Sequence, residues 1–133
     1  MFAVPQWGLG KSFDGHLPIG PVLLHPSLLG NPEDVQLQTI VNGETVQDGN
    51  TRDHLWTVAE TISELSQGTT LPAGTLISMG TPPGEGFKRD PQKWLRHGDT
   101  VIVRGNRGLG SLINRVRDQD KELSNVGHIK AKL

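Results

Sequence analysis

The sequence predicts an α+β fold, a β-rich mixed sheet or roll with one main helix, and three observations predict it. Residues 35–41 alternate, with Val35, Leu37, Thr39 and Val41 set against Gln36, Gln38 and Ile40. From Asp53 to Gln67 the period changes, because Leu55, Val58, Ala59, Ile62 and Leu65 fall at helical spacing. Seventeen glycines and nine prolines are dispersed among apolar segments instead of forming a low-complexity tract, which is the pattern of an ordered, turn-rich chain.

Taken in order, the first element is the apolar run Pro21-Val22-Leu23-Leu24-His25, which has proline at both flanks and reads as a strand with one buried face. The alternating stretch 35–41 is the next strand. Asn42-Gly43 supplies the positive φ angles of a type I′ turn, so Glu44 to Gln47 returns as a hairpin. The helix follows over Asp53 to Gln67. Thr51 or Asn50 can cap it, Asp53 suits its positive end and Gly68 is placed to stop it. Leu71 to Gly74 makes a turn, and Thr75 to Met79 reads as a buried strand. Thr100 to Arg104 and 110–116 form a last hairpin across the Gly105 to Gly108 turn. With no repeat and no dividing linker, residues 1–117 read as one unit, and 118–133, where charged and small polar residues displace the apolar pattern, read as a mobile tail.

Composition narrows the function classes. Thirteen basic and 14 acidic residues give a formal net charge of -1, so no broad field favours nucleic acid or an anionic membrane. There is no cysteine, which excludes disulfides, thiolate metal sites and a cysteine nucleophile. The first ten residues lack a basic region followed by an apolar one, and no apolar run is long enough to span a bilayer. A cytoplasmic location is the default expectation.

Two short signatures could carry chemistry. One is Gly10-Lys11-Ser12-Phe13-Asp14, followed by Leu17-Pro18-Ile19-Gly20-Pro21. The Lys11 ammonium suits holding a carboxylate or stabilising charge that develops on a carbonyl oxygen, and an ordinary solvated lysine is the plain alternative. Phe13 is expected to pack beneath this loop. The other signature is Gly80-Thr81-Pro82-Pro83-Gly84-Glu85-Gly86-Phe87. Gly80 lets a ligand approach the backbone and Pro82 fixes the direction of the Thr81 hydroxyl, while a plain strand-to-loop turn would need nothing more. Neither signature is a phosphate-binding loop, because no Gly-Lys-Ser/Thr closes the required spacing. The histidines at 16, 25, 54, 97 and 128 have no metal-ligand spacing, and no Gly-x-Ser-x-Gly elbow occurs. His16, near Lys11, is the one histidine placed to matter.

Together with Val41-Asn42-Gly43-Glu44, Gln47-Asp48-Gly49-Asn50-Thr51 and Leu65-Ser66-Gln67-Gly68, these signatures resemble the carboxyl-terminal part of the fumarylacetoacetate hydrolase family, over about residues 6 to 117. The resemblance implies the later half of that fold and a small oxo-acid or β-dicarbonyl substrate. It implies C–C bond hydrolysis, decarboxylation or isomerisation through a metal-stabilised enolate. Lys11 would be the catalytic lysine, with Lys11, Thr81 and Gly80 contacting substrate. The implied cofactor is Mg2+, with Mn2+ or Ca2+ as alternatives, but the family's carboxylate ligands and its acid–base pair lie upstream of the lysine loop, so no metal ligand is assigned here. Asp14, Glu85 and Asp90 read as solvated loop carboxylates. The implied partners are substrate and a second subunit, as a homodimer or with a complete homologue. Three roles stay open: a fragment of a metal-dependent enzyme that is inactive alone, a non-catalytic binding or dimerisation module derived from the family, and a truncated product whose exposed apolar edges leave it without a stable fold.

Overall fold

The computed structural model describes residues 7–119. A single helical turn, α1 (Trp7–Gly10), and a second, α2 (Pro26–Leu29), precede β1 (Gln36–Val41) and β2 (Glu44–Asn50). The main helix α3 (Val58–Leu65) follows, and β3 (Thr100–Gly105) and β4 (Gly110–Arg115) close the described chain. The strands form one sheet in the order β2-β1-β3-β4, antiparallel at each junction. The α+β class and the single main helix are as the sequence predicts.

The β1–β2 hairpin turns on Asn42 (φ 51°) and Gly43 (φ 87°), as a type I′ turn requires. Its ladder has one irregularity. Thr39 pairs with Gln47 and Ile40 with Thr45, so Val46 is an extra residue bulged out of β2. Asn42 also locks the sheet centrally: its side chain donates to Asp99 (2.8 Å) and accepts from the Thr100 amide (2.9 Å). Ahead of β1, the Asp34 carboxylate gathers Arg52, Arg107 (2.7 Å) and Asn50 (3.1 Å), tying the approach to β1 to the β3–β4 turn. These donors, Arg52 foremost, hold the Asp34 pKa down at about 2.

Three local expectations change. The helix begins later than the periodicity implies, because Thr57 and Glu60 form a reciprocal capping box that sets its start. Asn50 instead caps a short 3-10 turn at Thr51–Asp53, and the Thr51 hydroxyl bonds the Val35 amide and the Pro32 carbonyl. Residues 21–25 do not form a strand. They run as an irregular segment into α2, where the His25 ring accepts from the Ser27 amide. Residues 75–79 likewise have no ladder partner among the described residues. Both runs have strand composition, but neither makes a ladder with another described strand, and composition alone does not create the pairing that satisfies a strand's backbone groups. Of the tail expected over 118–133, everything from residue 120 lies outside the described residues.

The enclosed interior is small. Among the described residues, Val35 (3% exposed) and Val41 (9%) are the buried apolar side chains. Helix α3 has no buried residue, and Leu55 just ahead of it is 88% exposed. No described helix is long and apolar enough to cross a membrane.

Candidate active site

The Thr81 loop is built on β2. Gly80 turns the chain at φ 99° and Pro82 then lies flat on Gly49 of β2, where a Cβ would sit 2.6 Å from the proline ring. Gly84 and Gly86 are constrained just as closely. A side chain on Gly84 would strike the Val46 carbonyl oxygen and one on Gly86 would strike that of Lys93. Arg89 then clasps the loop to the sheet, donating to the Gly84 carbonyl (3.2 Å), the Val46 carbonyl (2.9 Å) and Glu44 (3.1 Å). The bulge at Val46 and the arginine explain each other, because the bulge turns a carbonyl out of the ladder and the guanidinium satisfies it.

Gln47 fixes the threonine itself. Its side-chain amide donates to Thr81 Oγ1 (2.8 Å) and to the Pro82 carbonyl (2.7 Å). A hydroxyl has one proton and two lone pairs. With a lone pair taken by Gln47, the Thr81 proton is the group left for a ligand, since the Pro82 carbonyl lies at a weak 3.4 Å.

Thr81 opens onto a cavity of about 540 Å³ between the sheet and the 84–96 loop, a size in the usual range for small-molecule sites. Thr39, Val41 and Val101 form its floor, and Arg89, Lys93 and Trp94 stand opposite. The carboxylates around it are all engaged. Lys93 and then Arg89 hold the Glu44 pKa below its usual value, and Lys88 at 2.7 Å does the same for Glu85. Hydrogen bonds from Asn42 and the Arg96 amide lower Asp99. These groups are ionised at neutral pH and serve as structural anchors. Among the described residues no three His, Cys, Asp or Glu side chains gather as a metal site.

Lys11 stands elsewhere. Its loop follows α1 and is held by short-range contacts, with the Ser12 hydroxyl donating to the Gly8 carbonyl (2.6 Å) and the Ser12 amide to that of Leu9 (3.2 Å). Phe13 is 62% exposed and does not pack beneath the loop; its ring leans on His16 at 5.3 Å between centroids. Lys11 is exposed and does not line the cavity that Thr81 lines, and Gly80 stands one residue outside that lining. Sequence reasoning missed Gln47 and Arg89. The usable signal was Gly49 in a strand, a mark of close backbone approach.

A sequence model of the family described as fumarylacetoacetate (FAA) hydrolase C-terminal matches residues 1–117. The chain is 41% identical over 111 residues to oxaloacetate tautomerase YisK of Bacillus subtilis, covering 84% of this chain and 36% of that protein. Its fold is similar to that of the fumarylacetoacetate hydrolase from Exiguobacterium antarcticum, with a TM-score of 0.79 and 40% identity over 84% of this chain and 39% of that one. It is also similar to maleylpyruvate hydrolase from Sphingobium sp. SYK-6 in complex with manganese(II) and pyruvate, with a TM-score of 0.71 and 25% identity over 80% of this chain and 38% of that one. The chain therefore spans less than two fifths of the length of each of these relatives.

Proposed function

The chain belongs to the fumarylacetoacetate hydrolase family, and from that premise we propose that residues 1–117 are a partial catalytic domain whose site takes a small oxo-acid or β-dicarbonyl compound. The observation that carries this reading is the Gln47–Thr81 hydrogen bond at 2.8 Å, which leaves the Thr81 proton facing a cavity. That proton suits a carboxylate or keto oxygen, and Gly80 leaves the backbone beside it open to the same ligand. Lys11 is assigned the charge-stabilising role at an enolisable carbonyl, once the rest of the site is assembled around it. Because the relatives include a tautomerase and a hydrolase, the reaction class proposed is chemistry at an enolisable carbonyl, by hydrolysis, decarboxylation or isomerisation.

The divalent metal implied for such a site does not fit the described residues. The carboxylates near Thr81 are each held by a cation or an amide and do not converge on one point. What these residues do is orient a ligand: Thr81 donates to it, Gln47 fixes Thr81, and Arg89 keeps the loop on the sheet.

A second reading, a non-catalytic binding module, rests on large apolar side chains left exposed, among them Leu23, Leu28, Leu55 and Ile113. Assays of the purified chain on oxaloacetate and acylpyruvates, with and without magnesium, separate the two. Metal-dependent turnover that falls in Thr81→Val and Lys11→Ala supports the enzyme reading. Turnover unchanged by both variants overturns the site assignment, and no turnover by the chain alone or joined to the rest of the fold supports the module.

A further inference from the structure

Asn42 does more than turn the β1–β2 hairpin. Its backbone amide donates to the Thr100 carbonyl (3.0 Å), its side-chain oxygen accepts from the Thr100 amide (2.9 Å), and its side-chain nitrogen donates to Asp99 Oδ1 (2.8 Å). An aspartate would serve the turn equally well, because Asp-Gly also forms type I′ turns. What it could not do is donate to Asp99. The asparagine side chain therefore answers the carboxylate opposite it, and its bonds close the end of the sheet beside Val41, one of the two buried apolar side chains among the described residues.

The same side chain is open to a reaction with its neighbour. Of the asparagines at 31, 42, 50, 106, 114 and 125, Asn42 is the one followed by glycine. The others precede Pro32, Thr51, Arg107, Arg115 and Val126, whose bulk or missing N–H hinders attack by the backbone nitrogen on the side-chain carbonyl. Gly43 offers no such obstacle. It is exposed, and a Cβ added to it would meet nothing within 4 Å. The Gly43 nitrogen attacks Asn42 Cγ, and its proton leaves with the amide nitrogen as ammonia, closing a succinimide ring. Water then opens the ring to aspartate or, through the other carbonyl, to isoaspartate. Ring closure needs the Asn42 side chain to swing from β3 towards Gly43, so its bonds to Asp99 and Thr100 must break first.

We propose that Asn42 is a deamidation site gated by the sheet. The side chain is spared while its contact with Asp99 and Thr100 is closed, and it is converted once that contact opens. Conversion then prevents the contact from re-forming as it was. Aspartate at this position sets a second carboxylate against Asp99, where like charges repel, and isoaspartate adds a backbone atom to a turn whose length fixes the register. The Arg96 amide is committed to Asp99 Oδ2 (2.7 Å) and cannot take the lost donor's place. Asn42 and Asp99 both line the cavity onto which Thr81 opens, so the modification also adds a negative charge to its wall. A single opening event leaves a permanent mark on the chain.

Peptide mapping by mass spectrometry, after the 133-residue chain is incubated at mildly alkaline pH, reads the conversion as the mass gained when an amide becomes an acid. Asn42 should react more than about tenfold more slowly in buffer than in denaturing urea, and Asp99→Ala should narrow that gap. In the unaltered chain at intermediate urea, the rate should follow hydrogen exchange of the Thr100 amide, which the same opening frees. Asn42→Asp, which reproduces the aspartate product, should lower the urea midpoint, and adding Asp99→Asn should restore it by returning a donor to the pair. Equal rates in buffer and in urea overturn the proposal. So does a rate that ignores Thr100 exchange, or an Asn42→Asp chain as stable as the original.

Discussion

The Thr81 loop and the Lys11 loop look alike in sequence, each a short stretch of polar side chains among glycine, proline and phenylalanine, yet the structure holds them in opposite ways. The Thr81 loop is pressed onto β2 at Gly49 and Gly84 and clasped by Arg89 and Gln47. The Lys11 loop is held by its own neighbours within four residues. Composition identifies a loop that can present a functional group. Only contacts from distant residues show whether the group is already held in place.

Substitutions can break this contrast at several depths. The largest effect is expected from Gly84→Ala, which drives a Cβ into the Val46 carbonyl at φ 115° and should cost about 3 kcal/mol or more. Gly15→Ala, its counterpart in the Lys11 loop, has φ 73° but open space around it, and should cost only about 1 kcal/mol. Urea unfolding of the two variants gives the comparison directly. Equal losses would mean that the Thr81 loop is no more constrained than the other.

Next comes Arg89→Met, which leaves the Gly84 and Val46 carbonyls without their side-chain donor and should cost about 2 kcal/mol, with faster amide exchange over 84–89. Gln47→Leu should cost about 1 kcal/mol. It frees the Thr81 hydroxyl to rotate, so ligand affinity should fall further than stability does, a difference that titration calorimetry can read.

Acid tests the frame around the site. The Asp34 pKa is depressed, so its contribution is complete above its ordinary value of 3.8 and is lost as the pH falls through about 2. Stability measured from pH 5 down to 2 should decline, and the decline should be shallower in Asp34→Asn. Lys11→Ala should move stability by no more than about 0.5 kcal/mol. A larger loss would show that the Lys11 loop is packed after all.

Much of the sheet was legible from local signals: the alternation of β1, the Asn42-Gly43 turn into β2, and the glycine turn at 105–108 between the apolar runs of β3 and β4. The helix start was legible too, in Thr57 and Glu60, but an apolar period that runs on through Leu55 masks it. Residues 21–25 and 75–79 have strand composition without a ladder, since pairing is a property of two segments and a single run shows only one. The site divided along the same line. Thr81 stands out by its neighbours, whereas Gln47 and Arg89 act across 34 and 43 residues of chain, and nothing in an isolated glutamine or arginine reports such a distance.

The extra residue at Val46 has a consequence for how related chains can vary in length. With it, Gln47 stands opposite Thr39 and shares that residue's side of the sheet. A β2 one residue shorter at this point would keep Gln47 opposite Thr39, but it would delete the carbonyl that Arg89 binds. The insertion and the arginine should therefore be gained and lost together. A homologue without the extra residue is expected to carry something other than arginine at position 89 while retaining both glutamine and threonine.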